Sequence, residues 1–460
     1  MTDNIPSSAP VFAFTTWEPV LRLLRAGRAA RSGGPPVRVV GRIGRGSWSL
    51  DLVRPGPGPG GAARVEGVQD EMDAVDRVRG ALEAVGAEEV SFCAEIAADG
   101  RTALQLIGPS SAVESAAGGT GPGVLLLVEG AVPAPRRRLP ASAPGAVAAP
   151  SADPGLLERT LRERLPDAVG ATEAELAAAE ERLGIALPAE LKALYRATRA
   201  RRADRPASKI FRAVGCELLE PDRVHIADPS SRPWSWASAA LDASGARPGD
   251  AVQGLVGSPG WIVFGDTGGG DRLAIDLTPG AGGHIGQIIV ISHEENIGAG
   301  LVADSLTDLV LGRHSAGGAV REPGPEPVAW VNERSVRSVE AAAHPGLEVL
   351  SLGVWEGEPF SLAPVVGLPG LRTLSAHPGT LADPREIAGL TGLEFLELGP
   401  ADWRVLLDAG AVPRSLLAAG IEDYGRDPLP NVDLANELLA LWGRPPIIRR
   451  AVKGDLGPPG

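Results

Sequence analysis

Apolar and polar positions alternate with different periods along this chain, and the changes of period mark its elements. Trp17, Leu21 and Leu24 recur at helical spacing, and Met72, Val75, Val78 and Leu82 draw a second helical stripe over residues 68–85. Residues 37–53 read as strands broken at Gly44-Arg45-Gly46, and 90–96, 103–107 and 124–128 read as further strands. The tract from Pro55 to Gly61 alternates proline and glycine, which neither helix nor sheet tolerates, so it predicts a loop. A proline- and alanine-rich stretch at 133–153, carrying Arg136-Arg137-Arg138, has no period and predicts a flexible linker with solvated charges.

Order returns at 156–165 and sharpens at Thr172-Glu173-Ala174-Glu175. This is a capping box, in which the threonine hydroxyl accepts a helix-start N–H while Glu175 reaches back. Leu176, Ala179 and Leu183 follow on one face, Gly184 supplies the stop, and Pro188 opens a second helix lined by Leu191, Leu194 and Tyr195. Residues 260–277 then predict strand, glycine-rich turn and strand. A second hairpin turns at Pro279-Gly280-Ala281-Gly282-Gly283 into Ile285–Ile291. No other stretch combines so many apolar runs with so many glycines.

After a Gly/Pro/Glu-rich loop at 315–327, the pattern changes again. Leu347-x-x-Leu350-x-Leu352 recurs at Leu371-x-x-Leu374 and Leu393-x-x-Leu396-x-Leu398, with an echo at Leu416-Leu417. A period in the low twenties with L-x-x-L-x-L is a leucine-rich-repeat signature, in which each turn lays down one short strand that cannot bury its leucines alone. The Asn or Cys of the usual inner turn is absent, so a short, irregular stack is expected. Leu434, Leu438 and Leu441 predict a final helix over 431–441, and the tail from Ala451 is expected to be loose.

Length and charge narrow the function classes. A chain of 460 residues predicts two to four domains, and 44% hydrophobic residues allow sizeable cores. The net charge of −13 disfavours nucleic-acid and anionic-membrane binding. Cys93 and Cys216 are too few and too far apart for a disulfide framework or thiolate metal site. The N-terminus has no signal-peptide pattern and no run approaches eighteen apolar residues, so a cytoplasmic protein is expected.

Charge is unevenly placed. Residues 192–212 carry Lys192, Arg196, Arg199, Arg201, Arg202, Arg205, Lys209 and Arg212 against Asp204 alone. Residues 261–310 invert this, with Asp266, Asp271, Asp276, Glu294, Glu295, Asp304 and Asp308 against Arg272. Either the two segments face each other, which is the simpler expectation, or the acidic hairpins meet a basic partner.

Each candidate for chemistry has a plainer structural role. The glycines of 265–271 end in Asp271 and enter a strand, whereas a phosphate loop needs Gly-Lys-Ser/Thr entering a helix. Asp266, Asp271 and Asp276 could converge on a hard cation, but Asp beside Gly is what turns require. His293-Glu294-Glu295-Asn296-Ile297 lacks the second histidine of a zinc motif. No catalytic, metal or cofactor residue is therefore expected, and a small-molecule ligand is disfavoured. Trp234, Trp236 and Trp261 are either core or contact residues; Pro233-Trp234-Ser235-Trp236 has little apolar company, which favours contact.

Four motifs in order carry a resemblance. Glu180-Glu181-Arg182-Leu183-Gly184-Ile185-Ala186-Leu187-Pro188, then Gly260-Trp261-Ile262-Val263-Phe264-Gly265-Asp266 with Gly270-Asp271 and Asp276, then Gly283–Ile289, then Ala303-Asp304-Ser305-Leu306, resemble the SUKH superfamily over residues 168–313. That superfamily includes Smi/Knr-type regulators of fungal cell-wall assembly and many bacterial immunity proteins. The loop at Arg199-Ala200-Arg201-Arg202 departs from the family's short Asn/Gly turn.

The resemblance implies an α+β domain with a mixed sheet, no catalysis, and binding of another protein, in bacteria typically a toxin. The expected layout is an α/β domain at 1–132, a linker at 133–153, a SUKH-like domain at 154–314, a linker at 315–327, a leucine-rich-repeat-like α/β solenoid at 328–450, and a loose tail at 451–460. The expected function is immunity-type neutralisation of a basic toxin through Trp234, Trp236, Trp261, Asp266, Asp271 and Asp276. The alternatives are a scaffold or regulator of envelope assembly, or an enzyme with its site in residues 1–130.

Overall fold

The computed structural model describes residues 9–29, 36–50, 65–108, 110–114, 123–199, 207–247, 249–315, 325–423 and 428–458. The Pro55–Gly61 tract, Arg201, Arg202, Arg205 and most of the loop after 315 lie outside them. The chain is a mixture of helices and sheets, and it divides into two compact units. One comprises residues 1–131, 329–345 and 350–460; the other comprises 132–328 and 346–349.

In the first unit, a five-stranded sheet runs in the order Arg449–Asp455, Arg101–Ile107, Glu89–Ile96, Val37–Gly44, Trp48–Leu50. The helices Phe14–Ala29 and Val65–Glu83 share its core, where Trp17, Leu21, Leu24, Val75, Val78, Leu82 and Phe92 are all buried. Met72, placed on the helical stripe by its spacing, is instead 41% exposed. The expected loose tail is also corrected. Residues from Arg449 to Asp455 pair antiparallel with Asp455↔Arg101 through Arg449↔Ile107, and Val452 and Leu456 are buried. The two adjacent apolar residues of this strand, Ala451 and Val452, give no period to detect, so its order comes from the backbone ladder.

The second sheet of this unit holds one short strand per leucine repeat. Thr373–Ala376, Phe395–Leu398 and Ala418–Ile421 lie parallel, with Leu374 opposite Leu396 and Leu396 opposite Ala419. Leu371, Leu374, Leu393, Leu396, Leu398 and Leu416 are each buried. Val124–Leu126 joins Ala418–Ile421 antiparallel, so the two ends of the chain share both sheets.

The other unit is built around the glycine-rich hairpins. Its sheet runs in the order Gly300–Ala303, Gln287–Ile291, Arg272–Asp276, Trp261–Asp266, Glu217–Leu218, and His225–Ile226 also pairs with Trp261–Asp266. Each of these pairings is antiparallel, which corrects the expected mixed sheet; the parallel element is a lone bridge, Ala148↔Ile285. Both faces are covered, so the strands are apolar without alternation. Ile262, Phe264, Leu273, Ile275 and Ile288 pack with helices Pro154–Arg164, Ala189–Ala197 and Leu306–Leu311. Trp261, Val263, Ala274, Ile289 and Ile291 pack on the other side with Ala227, Val252 and Leu255.

Local chemistry sets the helix boundaries as read. Thr172 accepts from the Glu175 N–H at 3.2 Å, and Glu175 Oε2 accepts from the Thr172 N–H at 2.7 Å. Gly184 closes that helix in the left-handed region at φ 70°. A long-range cap adds to this: buried Glu190 accepts from the backbone N–H groups of Leu306 and Thr307, at 3.3 and 2.9 Å. The carboxylate thereby satisfies the start of Leu306–Leu311 from a different helix.

Candidate protein-binding face

The sheet end formed by the two hairpins presents carboxylates on tight turns. Gly268 and Gly270 adopt φ 86° and 100°, conformations that favour glycine, and let the chain reverse between Asp266 and Asp271. Gly265 serves a different purpose: a Cβ there would lie 2.6 Å from Cys216 Sγ. Asp266 accepts from the Gly268 N–H at 2.6 Å, so the loop's own carboxylate occupies the place where an anion would need those amides.

Asp271 accepts from the His293 backbone N–H at 2.9 Å and contacts its ring Nδ1 at 2.7 Å. These bonds hold the Asp271 carboxyl below its usual range, and the same contact raises His293. Exposed Glu294 and Glu295 continue the acidic surface, and exposed Glu217 stands opposite Asp266 on the neighbouring strand.

The basic segment does not neutralise this end through its described ion pairs. Lys192 pairs with Glu180, Arg196 with Glu173 and Arg199 with Glu175, at 2.6, 2.6 and 2.5 Å. The simpler expectation, that segment 192–212 faces the acidic hairpins, is therefore corrected at these three bases. They bind the capping-box helix, which is closer along the chain. Asp304 and Asp308 leave the rim as well, since Asp304 accepts from Ser315 at 2.8 Å and buried Asp308 accepts from Ser305 at 3.1 Å.

The structure separates the six predicted contact residues. Trp234 is 37% exposed. Its ring meets Trp236 edge-on at 6.3 Å between centroids, and the Arg136 guanidinium lies over it at 5.0 Å. Trp236 was expected as a contact residue beside Trp234. It instead begins the short helix Trp236–Ala239, capped by Ser235, and turns inward to full burial. Trp261 is also fully buried, opposite Asp276 in the sheet.

Asp276 is 0% exposed and accepts from the Thr278 N–H at 2.8 Å and from Gln287 Nε2 at 2.9 Å. Burial raises its pKa, and bonds from Gln287, Thr278 and Trp261 oppose the rise. Trp236, buried on its short helix, and Trp261 and Asp276, on strands covered on both faces, thus cannot form a contact surface. Asp266, Asp271 and Trp234 keep that capacity.

Two arginines that carried no sequence signal position the exposed indole. Arg232 is 5% exposed and donates to the carbonyls of Glu295 at 3.1 Å and Gly298 at 2.8 Å. Burial, with Arg272 nearby, lowers its pKa to about 10. Arg136 donates to the Arg232 carbonyl at 3.0 Å and also to that of Pro229. The expected linker at 133–153 is therefore ordered, with a short helix at Ala134–Arg137. A proline-rich segment shows no period, but its guanidinium finds carbonyls and a tryptophan face. Arg232 ties the Trp234 segment to the Glu294–Glu295 loop, so one indole and four carboxylates belong to a single bonded chain of segments.

Among the described residues, no group of three or more His, Cys, Asp or Glu side chains is placed to hold a metal ion. No described helix is long and apolar enough to cross a membrane.

Residues 170–312 match the family described as SMI1 / KNR4 family (SUKH-1), over under a third of the chain. A glucan synthesis regulatory protein of Neurospora crassa is 36% identical over 67 residues, which is 15% of this chain and 13% of that protein. The chain thus spans only a small part of that relative's length. With the first motif on a capped helix and its turn, the middle two on the antiparallel sheet and the last leading into the closing helix, residues 170–312 form a domain of the SMI1 / KNR4 family (SUKH-1).

Proposed function

We propose that this domain is a non-enzymatic protein-binding module, and that its contact face is the acidic rim of Asp266, Asp271, Glu294 and Glu295 beside Trp234. The observation that carries this reading is the ion pairing of Lys192, Arg196 and Arg199 with the capping-box helix, which leaves the hairpin acids to a partner. An exposed tryptophan held by a guanidinium suits a contact anchor, and surrounding carboxylates favour encounter with a basic surface. In this reading the protein works in the cytoplasm, and its leucine-repeat strands form a short solenoid with a separate surface.

Two partner classes fit. One is a basic toxin neutralised by occlusion, as in immunity proteins of the superfamily. The other is a component of cell-wall synthesis, favoured by the likeness to the glucan synthesis regulatory protein. Capture from native cytosol with wild type and a Glu294→Lys/Glu295→Lys chain tests the face. Recovery of a basic protein by wild type, lost on charge reversal, is expected; recovery indifferent to the reversal overturns it. Rescue of cells expressing the captured protein identifies a toxin, whereas altered glucan deposition identifies a regulator.

A further inference from the structure

The segment after Arg138 arches over a hollow in the domain and is held at both feet by main-chain contacts. At one foot, the Gln253 side-chain amide forks onto Ala141, accepting its N–H at 2.8 Å and donating to its carbonyl at 2.9 Å. At the other, the Ile285 N–H donates to the Val147 carbonyl at 3.0 Å, next to the Ala148↔Ile285 bridge. Between the feet, Pro144-Gly145 makes a turn closed by the Ala146 N–H on the Ala143 carbonyl at 3.0 Å, with Gly145 at φ 89°. Pro followed by a left-handed Gly is the composition that a type II turn requires.

The hollow beneath the arch measures about 710 Å³ and is walled by 141–147, by 246–247, 250 and 252–254, and by 279–281 and 283–284. An adjoining hollow of about 530 Å³ shares Asp250, Val252 and Gln253 and runs to Glu295–Leu301. The arch itself is poorly buried: Leu139 is 81% and Val147 65% exposed, and no side chain from 141 to 147 is buried. It is held by its backbone rather than by its side chains.

Receptor groups that read only main chain accept any chain presenting the same backbone. We propose that this groove is a peptide-docking site, that residues 139–148 are its intramolecular occupant, and that a partner segment of small residues with a Pro-Gly turn displaces them. The arch defines that chemistry: a Pro-Gly turn flanked by alanine and serine sets its main chain between Gln253 and Ile285. Gly280 and Gly283 let that wall lie close to the 250–251 backbone, where a Cβ would come within 2.1 Å of the Asp250 carbonyl oxygen and 2.3 Å of that of Ala251. A tethered segment competes at an effective concentration on the order of millimolar, so the intact arch shuts the groove against micromolar peptide. This site uses none of the rim carboxylates, although the adjoining hollow reaches Glu295, and it stands whether or not that rim binds a basic protein.

The test uses the full chain and a fluorescent peptide with the sequence of residues 139–149. Ala141→Pro removes the N–H that Gln253 accepts and loosens the arch. Binding about tenfold tighter than to wild type is expected, consistent with the loss of one intramolecular hydrogen bond and a new steric conflict. Adding Gln253→Ala should abolish the gain. Gln253 also donates to the carbonyls of Thr278 and Pro279. If that variant does not fold, Ala141→Pro with Ile285→Pro, which removes the donor at the other foot, takes its place. Equal peptide affinity for wild type and Ala141→Pro overturns the proposal, as does undiminished binding after either receptor change. A wild-type dimer that dissociates on adding the peptide supports the groove with a second copy's arch as occupant.

Discussion

Replacing Arg232 by methionine should loosen the acidic loop far more than it destabilises the domain. The side chain is 5% exposed and donates to two carbonyls of the 295–298 loop. Two hydrogen bonds from a charged group contribute about 1.5–3 kcal/mol each. Against this stands the cost of burying the guanidinium. A pKa lowered from its ordinary range above 12 to about 10 corresponds to roughly 3 kcal/mol at 1.36 kcal/mol per pH unit. Methionine keeps most of the apolar stem and removes both contributions, so the net loss should be about 0–3 kcal/mol, centred near 1.5 kcal/mol. For a domain of this size the central value lowers Tm by about 3–6 °C. The loop loses both its bonds to Arg232, keeping the Gly298 N–H on the Leu255 carbonyl, and the Glu295 carbonyl can turn to water because Glu295 is exposed. Amide exchange across 293–300 should therefore accelerate at least tenfold while the sheet strands remain protected. Partner capture should fall with it, since Trp234 and Glu294–Glu295 lose their common support. Unchanged exchange in 293–300, or a stability loss above about 4 kcal/mol, would refute this reasoning, the first because Arg232 is then no anchor and the second because burial then costs little.

The two neighbouring tryptophans should behave oppositely. Trp236→Ala should cost about 3–5 kcal/mol in chemical denaturation, while Trp234→Ala should cost under about 1 kcal/mol yet weaken capture. Deleting residues 449–458 strips an edge strand with Val452 and Leu456, a loss of at least about 3 kcal/mol from burial alone, and should expose the amides of 101–107 to exchange. The Asp271–His293 pair predicts a pH window. His293, with its pKa raised, contributes stability that is fully present below its unfolded pKa and is lost as pH rises through the raised value. Asp271, with its pKa lowered, contributes stability present above its unfolded pKa and lost as pH falls through the lowered value. The hairpins should be best held between those two values. Capture of a basic partner should strengthen as pH rises through the raised His293 value and the imidazole loses its proton, and His293→Gln should remove that increment.

Much of the local structure was legible because it rests on contacts only a few residues apart. The capping box at Thr172 and Glu175, the stop at Gly184 and the reversal at Gly268–Gly270 each close hydrogen bonds within a turn, so residue type reveals them. The leucine spacing announced one short strand per repeat, because burial at a fixed period leaves a fixed pattern. The candidate site was legible only in part. Asp266 and Asp271 lie at a turn in either reading, but Trp236 and Trp261 could not be told from Trp234 by composition. Whether an indole faces water depends on what crosses it, and Ala227, Ile289 and Ile291 come from distant positions to cover Trp261. Arg136 looked solvated because its acceptors, the carbonyls of Pro229 and Arg232, lie more than ninety residues away.

The amino-acid sequence by itself determined the helices, the hairpins, the family motifs and the excess of acid over base, since each follows from local periodicity or from counting. The tertiary structure alone decided which acids the nearby bases satisfy, which tryptophan remains outside, and that the last strand completes a sheet begun at residue 37. The physical reason is the same in all three cases. Burial and ion pairing are set by partners brought together across long stretches of chain, and a one-dimensional pattern records only that a residue can be buried or paired.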